Sequence, residues 1–261
     1  MQLVGTLLLI ESIAFAVCLV VSVFYGDSGF MAFAISMIAA FATGFLLRYA
    51  GRGARTTLTR YDSFVVVAVS WLASTVMGML PYLITGCVGS VADAFFETMS
   101  GLTTTGATVI DNLDSLPRSV HFWRAITNWV GGLGIVIFTL ALLPSNSVGE
   151  IKLFAAEVTG PKSNKLHPRF KTTIRWLLSI YMLLTVSCAA ALYFAGMGLF
   201  DSVCHAFTTT ATGGFSTHSE SIGYFNSPTI EYVEIVFMFL SGINFTMLYM
   251  LFLRGKFKVF F

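Results

Sequence analysis

SGLTTTGATVID (Ser100–Asp111) decides the reading of this 261-residue chain, and HAFTTTATGGFST (His205–Thr217) repeats its grammar further along. Each phrase is rich in threonine, carries glycine, and stands between long apolar runs. Hydrophobic residues make up 56% of the sequence and charged residues 11%, with mean hydropathy +0.81. A soluble domain carries about a quarter charged residues. Several runs approach or exceed the ~20 residues that cross a bilayer as a helix. A membrane β-barrel would alternate apolar and polar residues in ~10-residue segments, and these runs do not alternate. The composition therefore predicts an all-α polytopic membrane protein.

Six spans are expected, at about 3–24, 30–50, 63–86, 122–143, 174–197 and 229–253. The first lacks the basic lead-in and small-residue cleavage site of a signal peptide and reads as a retained span. Two shorter segments, 93–104 and 200–211, precede or enter the Thr/Gly phrases. At 1.5 Å per residue each is ~16 Å long as a helix, half a bilayer. Basic residues set the orientation. Arg48, Arg52, Arg55 and Arg60 follow span 2. Lys152, Lys162, Lys165, Arg169, Lys171 and Arg175 lie between spans 4 and 5. Arg254, Lys256 and Lys258 follow span 6, which leaves only Arg118 and Arg124 of the fifteen on the other side. The basic side is expected to be cytoplasmic, with the N-terminus on it. Asp27, Asp93, Glu97, Asp111, Asp114, Asp201, Glu220, Glu231 and Glu234 fall outside. They read as a cation-concentrating mouth or as ordinary solvated loop acids. In this topology each short segment enters from outside and returns outside. Such backbone survives at membrane depth only when buried in protein or lining a watery cavity.

The stretches around the two phrases form an internal repeat of one sense relative to the membrane. A long span leads to an acid (Asp93, Asp201), a half-helix, a Thr/Gly phrase, a loop with proline (Pro117, Pro228) and a second long span. Gly106 and Gly213, 107 residues apart, are expected to be equivalent. Parallel repeats suit a central channel, whereas inverted ones would suit a rocking transporter. A dehydrated cation needs oxygens in place of its water shell, and backbone carbonyls turned to one axis supply them. Glycine accepts the required backbone, threonine adds a hydroxyl, and the half-helix points its negative end toward the ion. Thr104, Thr105, Gly106, Ala107 and Thr108 are the candidate first wall of an ion filter, and Ala211, Thr212, Gly213, Gly214 and Phe215 the second. Asp93 and Asp201 stand at the positive ends of the half-helices. A plain Gly/Thr turn explains one such phrase, but two in register are harder to explain that way.

DAFFETMSGLTTTGAT, RAITNWVGGLGIVIFTLALLP and HAFTTTATGGFST together resemble the TrkH/TrkG/KtrB superfamily of bacterial potassium transporters, most closely its TrkH branch, over nearly the whole chain. The resemblance implies a two-helix N-terminal membrane domain (1–61), a first pore repeat (62–145), a cytoplasmic loop (146–172) and a second pore repeat (173–261). It makes these half of a four-repeat, potassium-channel-like pore. It also implies K+ as the transported ion, held at the filter carbonyls. Gly106 and Gly213 are then the critical glycines, the location is the bacterial inner membrane, and the full-length assembly is a homodimer. A cytosolic nucleotide-binding regulatory subunit of TrkA type is implied as partner, with residues 145–172 available to it. Membrane lipids are the other expected partner, and no nucleic acid is. With two of four repeats, the chain reads as truncated. A pair of such chains or a separately encoded second half is the other way to complete a pore. The competing function is a non-conducting fragment or interaction subunit that associates with a complete pore.

The remaining features carry less. Gly131, Gly132 and Gly134 mark either a flexible point in an inner helix or close helix packing. Asn244 either faces the pore or bonds a neighbouring helix. Cys18, Cys87, Cys188 and Cys204 have no metal-ligand spacing and read as small packing residues. His205 and His218 flank the second phrase without partner ligands at metal spacing. No His/Asp/Ser constellation supports hydrolysis, and no enzyme activity is expected. GGLG (Gly131–Gly134) lacks the strand, lysine and turn of a nucleotide loop.

Overall fold

The structure, a computed structural model, describes residues 1–52, 60–142 and 166–243. Every regular element among them is helical. In chain order the α-helices are α1 (Gln2–Tyr25), α2 (Phe30–Ala50), α3 (Arg60–Gly78), α4 (Leu80–Thr85) and α5 (Val91–Leu102). They continue with α6 (Arg118–Leu142), α7 (Leu166–Phe194), α8 (Leu199–Thr210) and α9 (Pro228–Gly242). Among the described residues, four stretches are long and apolar enough to cross a bilayer by length and composition: Gln2–Tyr25, Phe30–Ala50, Phe64–Thr85 and Arg175–Phe194. The other two expected spans fall on α6 and α9. Asn244, most of the 146–172 loop and the basic cluster after span 6 lie outside the described residues.

The third span is broken where one helix was expected. α3 stops at Gly78 and α4 begins at Leu80, with Pro81 in its first turn. Proline has no N–H to return to the carbonyl four residues earlier, which kinks a helix. The Gly78 carbonyl at the break accepts from the Trp123 indole at 3.0 Å. Gly78 also takes the side chain of Thr98 closely enough that a Cβ would overlap its methyl. The kink thus seats the outer helix against α5 and α6 together.

α1 and α2 form a hairpin whose backbones meet at small residues. A Cβ on Gly5 would lie 2.7 Å from the Gly44 carbonyl oxygen. In lipid the apolar driving force between helices vanishes, so association rests on such close packing. Phe15, Cys18, Phe33, Tyr82, Ala94, Val120 and Trp123 make the core that joins this hairpin to α4, α5 and α6. The Phe15 and Trp123 rings lie 4.4 Å apart. A second core of Cys188, Leu192, Met197, Ala206 and Ile230 holds α7, α8 and α9 together. Large apolar side chains such as Ile10, Ile13, Val20, Ile38, Leu183 and Val186 face outward from α1, α2 and α7, as lipid-facing surfaces do.

The turn between α1 and α2 is tied to the start of α6 by Asp27. Its carboxylate accepts from the Ser119 N–H at 2.8 Å, the Ser119 hydroxyl at 2.9 Å and the Gly29 N–H at 2.9 Å. Beside it the Arg118 guanidinium lies 4.4 Å from the Tyr25 ring centroid and 5.8 Å from that of Phe200, joining α1, α6 and α8 at one end. Burial pushes the Asp27 carboxyl up, but the bonds from Ser22, Ser119 and Gly29 outweigh it and the net direction is down. A carboxylate depressed by folding contributes stability that is complete above its unfolded value, ~3.9, and is lost as pH falls through the folded value. Acidification below about pH 4 is therefore expected to lower the thermal unfolding temperature of the solubilised protein more steeply for wild type than for Asp27→Asn. Superimposable acid profiles would remove Asp27 from this role.

Candidate functional site

α5 and α8 are the two expected half-helices, each 12 residues long. Both carry an acid in the first turn, Asp93 and Asp201, where the helix dipole favours negative charge. Ser90 caps α5, accepting from the Asp93 N–H at 3.1 Å. Asp201 reaches further and accepts from the Thr217 hydroxyl at 2.8 Å, which fastens the end of the second loop to the start of its own helix.

The loops after the two helices share a backbone hydrogen-bond pattern. Thr103 N–H returns to Met99 O at 2.8 Å and Ala211 N–H to Phe207 O at 3.2 Å. Thr105 N–H bonds Ser100 O at 2.9 Å and Gly213 N–H bonds Thr208 O at 2.8 Å. Thr104 and Thr212 both take the left-handed region, with φ of 56° and 55°. A β-branched residue there is strained by about 1–3 kcal/mol and persists only where its surroundings fix it. Gly106 and Gly214 follow with φ of 72° and 91°. The register is therefore 108 residues, Val91 to Leu199, and the backbone partner of Gly106 is Gly214. Gly213, expected in that place, matches Thr105. Adjacent glycines look alike in sequence, and backbone hydrogen bonding distinguishes them.

The two loops meet. A Cβ on Gly106 would overlap the Gly213 carbonyl oxygen and lie 2.8 Å from its carbonyl carbon. Thr103, Thr105, Ala107, Thr108, Thr212 and Gly214 are exposed on the open side of the pair, while Thr104, Gly106 and Gly213 are half-buried. The Ala107 carbonyl is turned back to the Ser100 hydroxyl at 2.6 Å. Ala211 and Phe215 are buried and anchor the second loop from behind. Beyond the loops, Asp114 joins the two halves at their outer ends. It faces His218 Nδ1 at 2.6 Å and accepts from the Ser219 N–H at 3.4 Å. The bond to His218, foremost, holds the exposed Asp114 carboxyl below its ordinary range.

Behind the loops lies a buried ion pair. Arg124 Nε donates to Glu97 Oε1 at 2.9 Å, with the two side chains 2% and 0% exposed. Glu97 also accepts from the Thr108 hydroxyl at 2.9 and 3.0 Å and from the Val109 N–H at 3.0 Å. Arg124 Nη1 donates to the Ser216 carbonyl at 2.8 Å, and its guanidinium lies 4.3 Å over the Phe215 ring. Sequence reading placed both residues among the outer charges. The available signal was an arginine early in an apolar span, which demands an acidic partner.

α6 runs along the back of both loops. A Cβ on Gly131 would overlap the Leu102 carbonyl oxygen at the end of α5. One on Gly132 would lie 2.7 Å from the Tyr181 hydroxyl and 3.0 Å from the Ala211 Cα, whereas one on Gly134 meets nothing within 4 Å among the described residues. The Tyr181 hydroxyl donates to the Trp129 carbonyl at 2.9 Å. The Asn128 side chain is fully buried and packs against Gly213, where a Cβ would lie 2.5 Å from its Cγ. In the second half, Thr209 of α8 bonds the buried Glu234 of α9. No cluster of three or more metal-ligating side chains occurs among the described residues. At the loops themselves the polar groups are backbone carbonyls and threonine hydroxyls, oxygens of the kind that coordinate monovalent cations.

Comparison with known proteins points the same way. Residues 29–261 match TrkH, described as a cation transport protein. The Trk system potassium uptake protein TrkH of Escherichia coli K12 is 41% identical over 261 residues, 99% of this chain and 54% of that protein. The Trk system potassium uptake protein TrkG of the same strain is 39% identical over 256 residues, 97% of this chain and 53% of that protein. The crystal structure of the potassium transporter TrkH from Vibrio parahaemolyticus superimposes with TM-score 0.85 at 37% identity. That match covers 98% of this chain and 52% of the other. The chain spans about half the length of the curated relatives it matches.

Proposed function

The chain belongs to the TrkH family of cation transport proteins, and from that premise we propose that it contributes two walls of a potassium-selective pore. The observation that carries this reading is the pairing of two Thr/Gly loops with the same backbone turn, in contact at Gly106 and Gly213. Each loop follows a helix too short to cross a bilayer, so its backbone belongs in protein or beside water. K+ is held by loop carbonyls around Gly106 and its backbone counterpart Gly214, with Gly213 completing the contact between walls. Further loops of the same kind close the ring. The helix–pore-loop–helix repeats run parallel, with the loops toward the outside and the N-terminus in the cytoplasm. A bacterial inner membrane, a dimeric assembly and a nucleotide-binding cytosolic regulator, which the family resemblance implies, complete this proposal.

The test is growth. The protein expressed from its own gene is expected to restore a bacterium lacking potassium uptake at low external potassium, with uptake of K+ exceeding that of Na+. A correctly inserted protein that restores no potassium uptake would favour the non-conducting reading instead.

A further inference from the structure

We propose that the Glu97–Arg124 ion pair is a positioning device that sets the spacing of the two Thr/Gly loops and through it the ion preference of the filter. The inference rests on the filter reading above and deepens it.

A buried ion pair is poor evidence of stability alone. Removing two charges from water costs several kcal/mol per ion, and apolar residues of the same size often replace such pairs without loss. This pair does more than neutralise itself. Glu97 holds the outer part of the first loop by three bonds to Thr108 and Val109. Arg124 holds the second loop at the Ser216 carbonyl and seats its guanidinium on Phe215. The chain of contacts runs from loop to carboxylate to guanidinium to loop without a break. A change in either side chain therefore moves one wall relative to the other. The arrangement is also unequal between the halves. By the 108-residue register the counterpart of Glu97 is His205, whose Nε2 lies 3.4 Å from the Ser216 hydroxyl. The second loop has no carboxylate in that place; beside the Asp201 bond to Thr217 at its far end, it takes charged support from Arg124 of α6, in the first half. One ion pair thus serves two loops. Lysine cannot substitute fully for Arg124. A single ammonium cannot bond Glu97, reach Ser216 and stack flat on Phe215 at once.

Potassium and sodium differ in the spacing of oxygens they prefer, so a moved wall changes preference before it abolishes folding. The experiment measures K+ and Na+ uptake side by side in the protein expressed from its own gene, for Arg124→Lys, Thr108→Val and Gly106→Ser, with membrane abundance followed for each. Arg124→Lys keeps the charge. Thr108→Val removes one hydroxyl from the Glu97 carboxylate at an exposed position and leaves the ion pair intact. Arg124→Lys is expected to lower the K+/Na+ uptake ratio about tenfold, the scale of one lost charge-assisted hydrogen bond. Thr108→Val is expected to lower it by a smaller factor, and both proteins should insert at near wild-type abundance. A ratio unchanged in both, with Gly106→Ser shifting it, overturns the positioning role and leaves the filter reading standing. A ratio unchanged in all three overturns the filter reading and the inference with it. Loss of abundance with an unchanged ratio marks the pair as structural only, which also overturns the proposal.

Discussion

Gly106→Ser is expected to cut potassium uptake at low external potassium by more than about tenfold while leaving the helical fold in place. Two independent costs meet at this position. Its φ of 72° is a conformation that costs a residue with a Cβ about 1–2 kcal/mol. The added Cβ would also overlap the Gly213 carbonyl oxygen, a backbone atom that cannot rotate away as a side chain can. Relief requires the loops to part, with a packing cost of about 1–3 kcal/mol. The strain falls on two short loops whose supporting helices, α5 and α8, are held by separate contacts, so ion transport suffers before assembly does. Gly134→Ala is the matched control, because a Cβ there meets nothing within 4 Å among the described residues. Wild-type uptake and wild-type K+ over Na+ preference in Gly106→Ser would take this loop out of the ion path.

The parts of this site legible in the sequence are those written locally. The half-helices were expected at 93–104 and 200–211 and occur at Val91–Leu102 and Leu199–Thr210, because apolar runs, first-turn acids and Thr/Gly phrases mark their ends directly. The family was legible for the same reason. What escaped depended on partners distant in the chain or on backbone geometry. Glu97 and Arg124 are separated by 27 positions, and counting charges by side of the membrane files both as loop residues. The register of Gly106 with Gly214 is fixed by hydrogen bonds to Ser100 and Thr208, which no spacing of look-alike glycines displays. The break in the third span was written in Gly78 and Pro81 but was masked by the continuous apolar run around them. Glu11, in the first span, escaped as well. Its carboxylate is buried beside Gly78 and Ser74, a placement that only the packing of α1 on α3 reveals.

Gly131→Leu is expected to fail differently, by loss of assembled protein rather than loss of selectivity. Gly131 lies in α6, and its missing side chain is what lets the helix approach the last carbonyl of α5. A Cβ would overlap the Leu102 oxygen and lie 2.8 Å from its carbonyl carbon and 3.2 Å from its Cα. The neighbouring contacts leave little room for α6 to retreat. Gly132 is packed on Ala211 and Tyr181 one residue further, Trp123 is bonded to Gly78, and Arg124 is bonded to Glu97 of α5 and to the second loop at Ser216. A leucine therefore separates α6 from α5 along several turns, at a cost of about 3 kcal/mol or more. That is a large share of the ~5–15 kcal/mol by which ordinary folded domains are stable. Gly131→Ala carries the same Cβ with less bulk and should be intermediate. The readout is membrane abundance together with the thermal unfolding temperature in detergent, in the order wild type, alanine, leucine. A leucine variant as abundant and as heat-resistant as wild type would mean that α6 does not seat against the end of α5. The contrast with Gly106 follows from what each glycine touches. One lets two loops meet in the proposed filter, where a small displacement is expected to change which cation fits. The other lets a helix backbone lie on a helix end, where a small displacement opens the packing that carries the loops.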